Sequence, residues 1–369
     1  MTYRKFNRDL LAIRKLSERK NKLSFETQHV PVLQKPATIS EEGRRLIEKT
    51  SARIRLAREN GKSVMLAFGA HTIKNGMAPT LIALMEEGWI THLSTNGAGI
   101  IHDWEFAYQG MTSEDVRENV AHGQFGIWNE TGYYLNLALI AGAYEGLGYG
   151  ESIGRLIVRE GLDIPDLEIL QQKVSDMVRL NPEVSAAASD FAWAIRKFSL
   201  EPGFMEIPHP FSKYSVQGRA YELQIPFTGH PMIGHDIIYV HPMNHCASIG
   251  RTAQSDFLCF TESVMDIDGG VYMSVGSAVM SPMIFEKALS MCQNVKLQQK
   301  KHIDNHFILV VDLAEADWDW QKNGEPPPDN PAYYLRYCKT FNRMGGEMHY
   351  MTADNRDFLL ALHHELAGK

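Results

Sequence analysis

Short apolar segments alternate with helical patterns of about ten residues along much of the chain. The apolar segments predict strands at residues 63–68, 89–95, 237–240, 270–275, 307–312 and 347–352. The remaining patterns predict helices at residues 40–60, 78–88, 252–265, 282–292, 331–343 and 356–366, and a further helix that opens after residue 99. Strands that alternate with helices in this way form parallel sheets covered on both faces. The chain is therefore predicted to have an α/β fold with a doubly wound, mostly parallel sheet.

The chain divides into a basic N-terminal arm, residues 1–39, and a single domain, residues 40–369. The first 25 residues carry eight Lys and Arg against two acids. Residues 4–22 favour an amphipathic helix that lies on the surface or docks onto the body, with contact to a nucleic acid or an anionic surface as the alternative. Residues 150–225 are less regular and predict a helical insertion within the domain.

The composition excludes several classes of protein. Hydrophobic residues make up 44% and charged residues 22% of the chain, which excludes disordered and collagen-like structures. The net charge of −7 argues against a dedicated nucleic-acid binder and favours small cationic or neutral substrates. The four cysteines lack a C-x-x-C pair, so we expect free thiols and no metal site. With no apolar run of about 18 residues and no secretory signal, we expect a cytoplasmic protein without a membrane span.

Glycine-containing turns follow several of the predicted strands. They lie at Gly69–Gly76, at Asn96–Gly99 and at Gly276–Ala278. In doubly wound sheets, ligands bind outside the carboxyl ends of the strands, and glycine lets backbone amides approach a phosphate. None of the turns is a full G-x-G-x-x-G motif and no Walker A motif is present, so a structural turn and a nucleotide cradle both stay open.

Several of these segments resemble the deoxyhypusine synthase family. Residues 67–76 are similar to that family's Thr-Ser-Asn-Leu-Ile-Ser-Ser-Gly turn, and residues 91–103 are similar to the Thr-Thr-Ala-Gly-Gly turn that follows one βα unit later. Residues 126–133 and 226–236 are similar to two later segments of the family, and the resemblance covers most of residues 60–369. It implies a Rossmann-like, NAD-binding domain and a homotetramer with sites at the subunit interfaces.

The resemblance also implies a chemistry, from which the chain departs at one position. Members of the family oxidise a polyamine carbon–nitrogen bond with NAD and trap the imine on a lysine that follows the glycine run matching residues 276–279. The matching positions here are Met280 and Ser281, and the next lysine is Lys287. Because a Schiff base needs a primary amine, deoxyhypusine synthesis itself is not expected. We expect instead an NAD-dependent oxidoreductase or transferase that acts on a small amine.

Site residues follow from the same resemblance, position by position. The expected NAD contacts are Asn96, Gly97, Ala98 and Gly99 on one side, Gly276 and Ser277 on the opposite wall, and Ala353 and Asp354 near the adenosine end. Asp236 matches an acid near the nicotinamide or the substrate.

Four of the fifteen histidines lie within sixteen residues, at positions 230, 235, 241 and 245. His230 and His235 come before the strand predicted at 237–240, and a histidine near its ordinary pKa can accept the proton when an amine or alcohol is oxidised. We therefore expect His230, His235 and Asp236 to be catalytic. Two alternatives stay open, namely loop histidines at a polar interface and, with Pro242 interrupting the spacing, a metal site.

Two further sets of residues are candidate substrate contacts. His102 and Asp103 follow the Asn96–Gly99 turn and either contact the substrate or supply polar capping groups. Trp318 belongs to the Asp317–Trp320 run, in which aromatic and acidic residues alternate. This run forms either a lid over a cationic substrate or a loop packed at a subunit interface.

The sequence therefore leaves three hypotheses for the function. The first is an NAD-dependent enzyme with a small-molecule substrate. The second is a non-catalytic nucleotide-binding protein of the same fold, which the missing lysine permits. The third makes the basic arm the functional element and the α/β body an oligomeric platform.

Overall fold

The computed structural model describes residues 3–316 and 318–368, and its central element is a six-stranded parallel sheet. The strands are β1 (Val64–Phe68), β2 (His92–Thr95), β3 (Phe227–Gly229), β4 (Val271–Val275), β5 (Phe307–Asp312) and β6 (Glu347–Thr352). They are arranged in the order β3-β2-β1-β4-β5-β6, and every neighbouring pair is parallel. This is the order of a doubly wound dinucleotide-binding sheet, so the predicted fold class is confirmed.

Each face of the sheet packs against its own hydrophobic cluster because β1 and β4 are fully buried on both sides. The first face carries the helices Glu41–Glu59, Ala78–Glu86, Gly97–Gln109 and Asn355–Leu366. The second face carries the helices Cys246–Met265, Met280–Gln298 and Arg336–Asn342. Shorter helices lie at Ala70–Lys74, Val116–Ala121 and Trp320–Asn323.

The long connection between β2 and β3 holds most of the remaining structure. Its helices are Asn129–Glu145, Tyr149–Arg159, Leu167–Leu180, Pro182–Phe198 and Val216–Glu222. A two-stranded antiparallel ribbon joins Gly161–Ile164 to Gly203–Glu206. No helix among the described residues is both long enough and apolar enough to pass through a membrane.

The strand predicted at residues 237–240 is wrong. Ile237–Val240 forms a 3₁₀ helix, and the third strand is the earlier segment Phe227–Gly229, which pairs with β2. The apolar run of Ile237–Val240 instead serves the first face of the core, where Ile238 is fully buried. His230 therefore lies directly after a strand and not before one.

The N-terminal arm does not form the predicted amphipathic helix over residues 4–22. It contains two single 3₁₀ turns, Arg8–Leu10 and Leu16–Glu18, a short helical turn, Phe25–Gln28, and the strand Leu23–Ser24, which pairs with Met111–Thr112. Individual side chains hold this extended segment on the body, because Leu16 is buried and Arg8 donates hydrogen bonds to the backbone carbonyls of Tyr239 and Asn244. These tertiary contacts outweigh the local helical preference.

Candidate active site

The direction of winding reverses between β1 and β4, and the turns that follow these two strands are in direct contact. The amide of Gly69 donates to the carbonyl oxygen of Val275 at 3.1 Å. A Cβ on Gly69 would lie 2.1 Å from the carbonyl oxygen of Gly276, so no larger residue fits there. Gly276 itself is exposed and has φ +59°, which favours glycine, and a Cβ at this position would make only an ordinary contact, 3.9 Å from Nδ2 of Asn355. The carboxyl end of the sheet therefore presents exposed backbone at its topological switch point, the usual ligand position in such folds.

The predicted Asn96–Gly99 turn begins the helix Gly97–Gln109. The side chain of Asn96 caps this helix by accepting from the amide of Gly99 at 2.9 Å. Both glycines are closely packed, since a Cβ on Gly97 would collide with the carboxylate of Asp236 and one on Gly99 with the side chain of Thr95. The turn thus brings the start of a thirteen-residue helix and an acid from a distant loop together.

A cavity of about 210 Å³ opens beside this turn, beyond the carboxyl ends of β1 and β2. At about 30 Å³ for each water molecule in the liquid, it has the volume of roughly seven waters. Four of the residues predicted for the site line it, namely Ala98, His102, His235 and Asp236. The other lining residues are Arg19, Lys74, Ile101, Glu105, Ser113, Glu114, Val116, Phe125 and Ile237.

Asp236 is the least satisfied acid of this cavity. Its Oδ2 atom is buried and has no hydrogen-bond partner among the described residues. Burial raises the pKa of Asp236 to about 6 from its ordinary value of 3.8, although nearby His235 and the backbone amide of Met232 oppose the change. An unpartnered carboxylate that titrates near neutral pH is typical of functional sites.

Ser113 is a second unsatisfied group in the same cavity. Its backbone has φ +65°, which is unfavourable for a residue other than glycine, and its buried Oγ has no partner among the described residues. Backbone strain of this kind concentrates at ligand and catalytic sites. Asp236 and Ser113 together therefore make this cavity the candidate binding site.

His102 contributes an uncharged ring. Its Nδ1 atom lies 2.8 Å from the hydroxyl of Thr112. Burial lowers the pKa of His102 to about 4, and the nearby Glu105 carboxylate opposes this change only in part. At neutral pH the ring is therefore an uncharged hydrogen-bonding group.

Glu105 lies under the cavity in a buried ion pair with Arg19 of the N-terminal arm. Two hydrogen bonds of 2.7 and 2.8 Å join the carboxylate to the guanidinium, and each side chain is only 1% exposed. Burial is the largest effect and alone would raise the pKa of Glu105, but the Arg19 charge, the Arg19 hydrogen bonds, His102 and the Thr112 hydroxyl together outweigh it and hold the pKa below its ordinary value. The arm is thus part of the wall of the cavity.

Sequence reasoning missed Lys74, Ser113 and Arg19. Lys74 is the last residue of the short helix that follows β1, and it lines the cavity. It provides a primary amine, which is missing at Met280 and Ser281. Its place within the Gly69–Gly76 turn was the available signal, because polar residues beyond a strand's carboxyl end are candidate ligands. For Arg19 and Ser113 there was no signal, since their positions depend on how the arm docks and how the backbone turns.

Three of the residues predicted to be catalytic or to contact the substrate do not line this cavity, namely His230, Asp103 and Trp318. His230 is buried beside Phe260, with its Nε2 atom 3.0 Å from the hydroxyl of Thr228, and burial lowers its pKa to about 3. Asp103 accepts hydrogen bonds from the hydroxyl of Ser215 at 2.6 Å and from the amide of Val216 at 2.9 Å, so it caps a neighbouring helix.

Trp318 lies apart from the cavity, beside the edge strand β6. Its indole donates to the carbonyl oxygen of Gly324 at 2.9 Å, and it lines a separate surface cavity along that strand. Asp317, the first residue of the predicted lid, lies outside the described residues.

The remaining predicted cofactor contacts lie at the carboxyl ends of β4 and β6. Ser277 Oγ accepts from the amide of Ser281 at 3.3 Å, close to the start of the helix Met280–Gln298. Asp354 caps the helix Asn355–Leu366 by accepting from the amide of Arg356 at 2.8 Å, with Ala353 just before it. These residues lie at the same carboxyl edge of the sheet as Asn96–Gly99. No group of three or more His, Cys, Asp or Glu side chains able to hold a metal ion occurs in residues 3–316 or 318–368.

No protein-family model and no curated protein matches the chain. Among solved structures, the chain is similar to a conserved protein from Methanococcus maripaludis S2 that is assigned provisionally as LOR/SDH. The two chains are 13% identical with a TM-score of 0.45, and the match covers 91% of this chain and 73% of the other. This chain is also similar to AgrE in its ternary complex with ornithine and NAD+, with 14% identity, a TM-score of 0.44 and coverage of 90% of this chain. The chain spans about a third, 34%, of the length of AgrE.

A further similar structure is a protein from Entamoeba histolytica assigned provisionally as a deoxyhypusine synthase, with 9% identity, a TM-score of 0.40 and 87% coverage of both chains. The neighbours thus include proteins of deoxyhypusine synthase type and of LOR/SDH type, all at low identity. Because all three TM-scores lie below 0.5, these likenesses carry no argument about the site or its substrate.

Proposed function

We propose that the protein is an NAD-dependent enzyme that oxidises a small amine-bearing metabolite by hydride transfer. The observation that carries the proposal is the carboxylate of Asp236, whose buried Oδ2 atom has no partner among the described residues and which lines a cavity beside the switch point of a dinucleotide-type sheet. The sequence resemblance to the deoxyhypusine synthase family supports the choice of cofactor.

In this proposal NAD lies along the carboxyl edge of the sheet. The edge runs from Asn96–Gly99 after β2, past Gly276 and Ser277 after β4, to Ala353 and Asp354 after β6. Four strand spacings of about 4.8 Å make this distance roughly 19 Å, enough for an extended ligand. The exposed backbone at Gly276, which carries no side chain, fits a cofactor that needs close access to the backbone. When bound there, NAD would supply the hydride acceptor.

The cavity residues then handle the proton and the substrate. Asp236, with a pKa of about 6, is suited to accept the proton that an amine or alcohol loses on oxidation. His235 is exposed at the mouth of the cavity beside Asp236, and uncharged His102 offers a hydrogen bond from the cavity wall. His230 has no part in this proposal because its ring is committed to the buried contact with Thr228.

Deoxyhypusine synthesis is not part of the proposal. Met280 and Ser281 stand where the resembling family has its lysine, and both are buried at the start of their helix. The homotetramer implied by the same resemblance remains part of the proposal, and sedimentation velocity of the purified protein tests it.

The test of the cofactor site is the affinity for NAD+ measured by calorimetry. Ala278 is exposed in the turn after β4, so Ala278→Asp adds a negative charge beside the expected phosphates without disturbing the core. We expect at least a tenfold loss of affinity, about 1.4 kcal/mol. The matched control is Leu180→Asp, which adds the same charge at an exposed residue, 79% accessible, at the end of the helix Leu167–Leu180.

Two results would contradict the placement: wild-type protein that does not bind NAD+, and Ala278→Asp protein that binds as tightly as the control. Turnover is followed by the appearance of NADH with a panel of small amines. Tight NAD+ binding with no turnover for any amine would favour the non-catalytic nucleotide-binding protein instead.

A further inference from the structure

Two of the acids that line the cavity already have several hydrogen-bond partners within the protein, and one of them, Glu105, is also paired with a cation. The carboxylate of Glu105 is held by both guanidinium nitrogens of Arg19 and by the hydroxyls of Thr112 and Thr131. A second acid, Glu114, accepts from the indole of Trp128 and from two further nitrogen donors, the amide of Gly126 and the side chain of Asn119. Protein donors therefore hold both acids in place, in contrast to Asp236, whose Oδ2 atom has none among the described residues.

Two charged groups of opposite sign remain. Lys74 forms no ion pair with any described residue, and Asp236 forms none either and keeps its Oδ2 atom without a hydrogen-bond partner. Both line the same cavity of about 210 Å³, Lys74 from the turn after β1 and Asp236 from the loop that packs on Gly97. Because both groups line one cavity of this volume, we expect a small ligand to contact both.

This arrangement discriminates between kinds of amine. A diamine or polyamine carries only positive charges, so one of its ends would lie against the Lys74 ammonium. Like charges in a partly buried site disfavour binding, whereas an amine that also carries a carboxylate pairs with both groups.

We propose that the substrate is a small zwitterion, with its ammonium group at Asp236 and its carboxylate at Lys74. This inference rests on the proposed function and narrows its substrate from an amine in general to an amine with an anionic group. Lys74 binds and orients the substrate, and Ser113, with its free hydroxyl, lies beside the two groups in the cavity wall.

The test compares amino acids with the matched amines that lack the carboxylate. L-Lysine is paired with cadaverine, L-alanine with ethylamine and L-valine with isobutylamine, and the remaining proteinogenic amino acids are added as a panel. Dissociation constants are measured by thermal shift and calorimetry on the full chain, with and without NAD+. We expect at least one amino acid to bind at least tenfold more tightly than its matched amine.

The Lys74 variants separate binding from folding. Lys74→Met should weaken the best amino acid at least tenfold and leave NAD+ affinity unchanged, whereas Lys74→Arg should keep most of the affinity. The matched control is Lys301→Met, which removes an exposed lysine that does not line the cavity. Equal binding of amines and amino acids, binding by no amino acid, or no effect of Lys74→Met would overturn the inference. Absence of NAD+ binding would instead contradict the proposed cofactor, and the NAD+-free titrations keep the two outcomes distinct.

Discussion

Replacement of Asp236 by Asn should stabilise the fold at neutral pH while removing activity. Burial raises the pKa of Asp236 from 3.8 to about 6, so the folded state binds this proton more tightly than the unfolded state does. At about 1.4 kcal/mol for each pKa unit, the ionised carboxylate costs the fold about 3 kcal/mol at most above pH 7. Because Asp236 is partly exposed and solvent screens its charge, we expect Asp236→Asn to raise the free energy of unfolding at neutral pH by about 1–3 kcal/mol.

The sign of the pH dependence follows from the raised pKa. Below pH 3.8 the carboxyl is protonated in both states and costs nothing, and between pH 3.8 and 6 the penalty grows as the unfolded state ionises first. The stability gain of Asp236→Asn over wild type should therefore be small at pH 4 and complete above about pH 7. Asn has nearly the same shape, so packing against Gly97 is retained.

The assay is urea unfolding of both proteins between pH 4 and pH 8, together with turnover for each folded variant. Loss of an acid–base group costs roughly 10²–10⁴ in rate, so activity and stability should change in opposite directions. Asp329→Asn, which removes an exposed loop carboxylate, serves as the control. An Asp236→Asn protein that is less stable than wild type at pH 7 would refute the reasoning, because it would mean that the carboxylate has a stabilising partner.

Two further predictions concern the arm and the chemistry. Arg19→Met should lower the free energy of unfolding by about 3–5 kcal/mol in urea titrations, because it leaves the buried Glu105 carboxylate without its cation. Adding Glu105→Gln to this variant should restore most of the lost stability. An Arg19→Met protein as stable as wild type would show that the arm is not anchored there. Borohydride treatment with spermidine and NAD+ should give no covalent adduct by mass spectrometry, since Lys287 is exposed and paired with Glu286. An adduct on Lys287 would restore the deoxyhypusine-type reaction. An adduct on Lys74 would give that residue a covalent role.

The sheet was largely predictable because its signals are local. β1, β4 and β5 are largely apolar runs, as expected for strands buried on both faces. The edge strand β6 is more polar and buries only Met348 and Met351. The predicted bounds of all four strands lie within one residue of those observed. β3 was missed because a strand of three residues carries little pattern, while the apolar run at Ile237–Val240 has the same composition as a strand. Periodicity alone does not distinguish a buried strand from a buried 3₁₀ turn.

The sequence by itself determined five of the six strands of the sheet and that the glycine turns follow strands. Only the tertiary structure decided which residues share a cavity, because that depends on strand order and on long-range docking. His235 and Asp236 reach the start of the helix Gly97–Gln109 from more than a hundred residues away, and Arg19 reaches Glu105 across 86 residues. His230, five residues before His235, lies instead beneath the sheet edge against Phe260. Neighbours in sequence point to different sides of the fold, and the backbone path that separates them is fixed by packing and not by local preference.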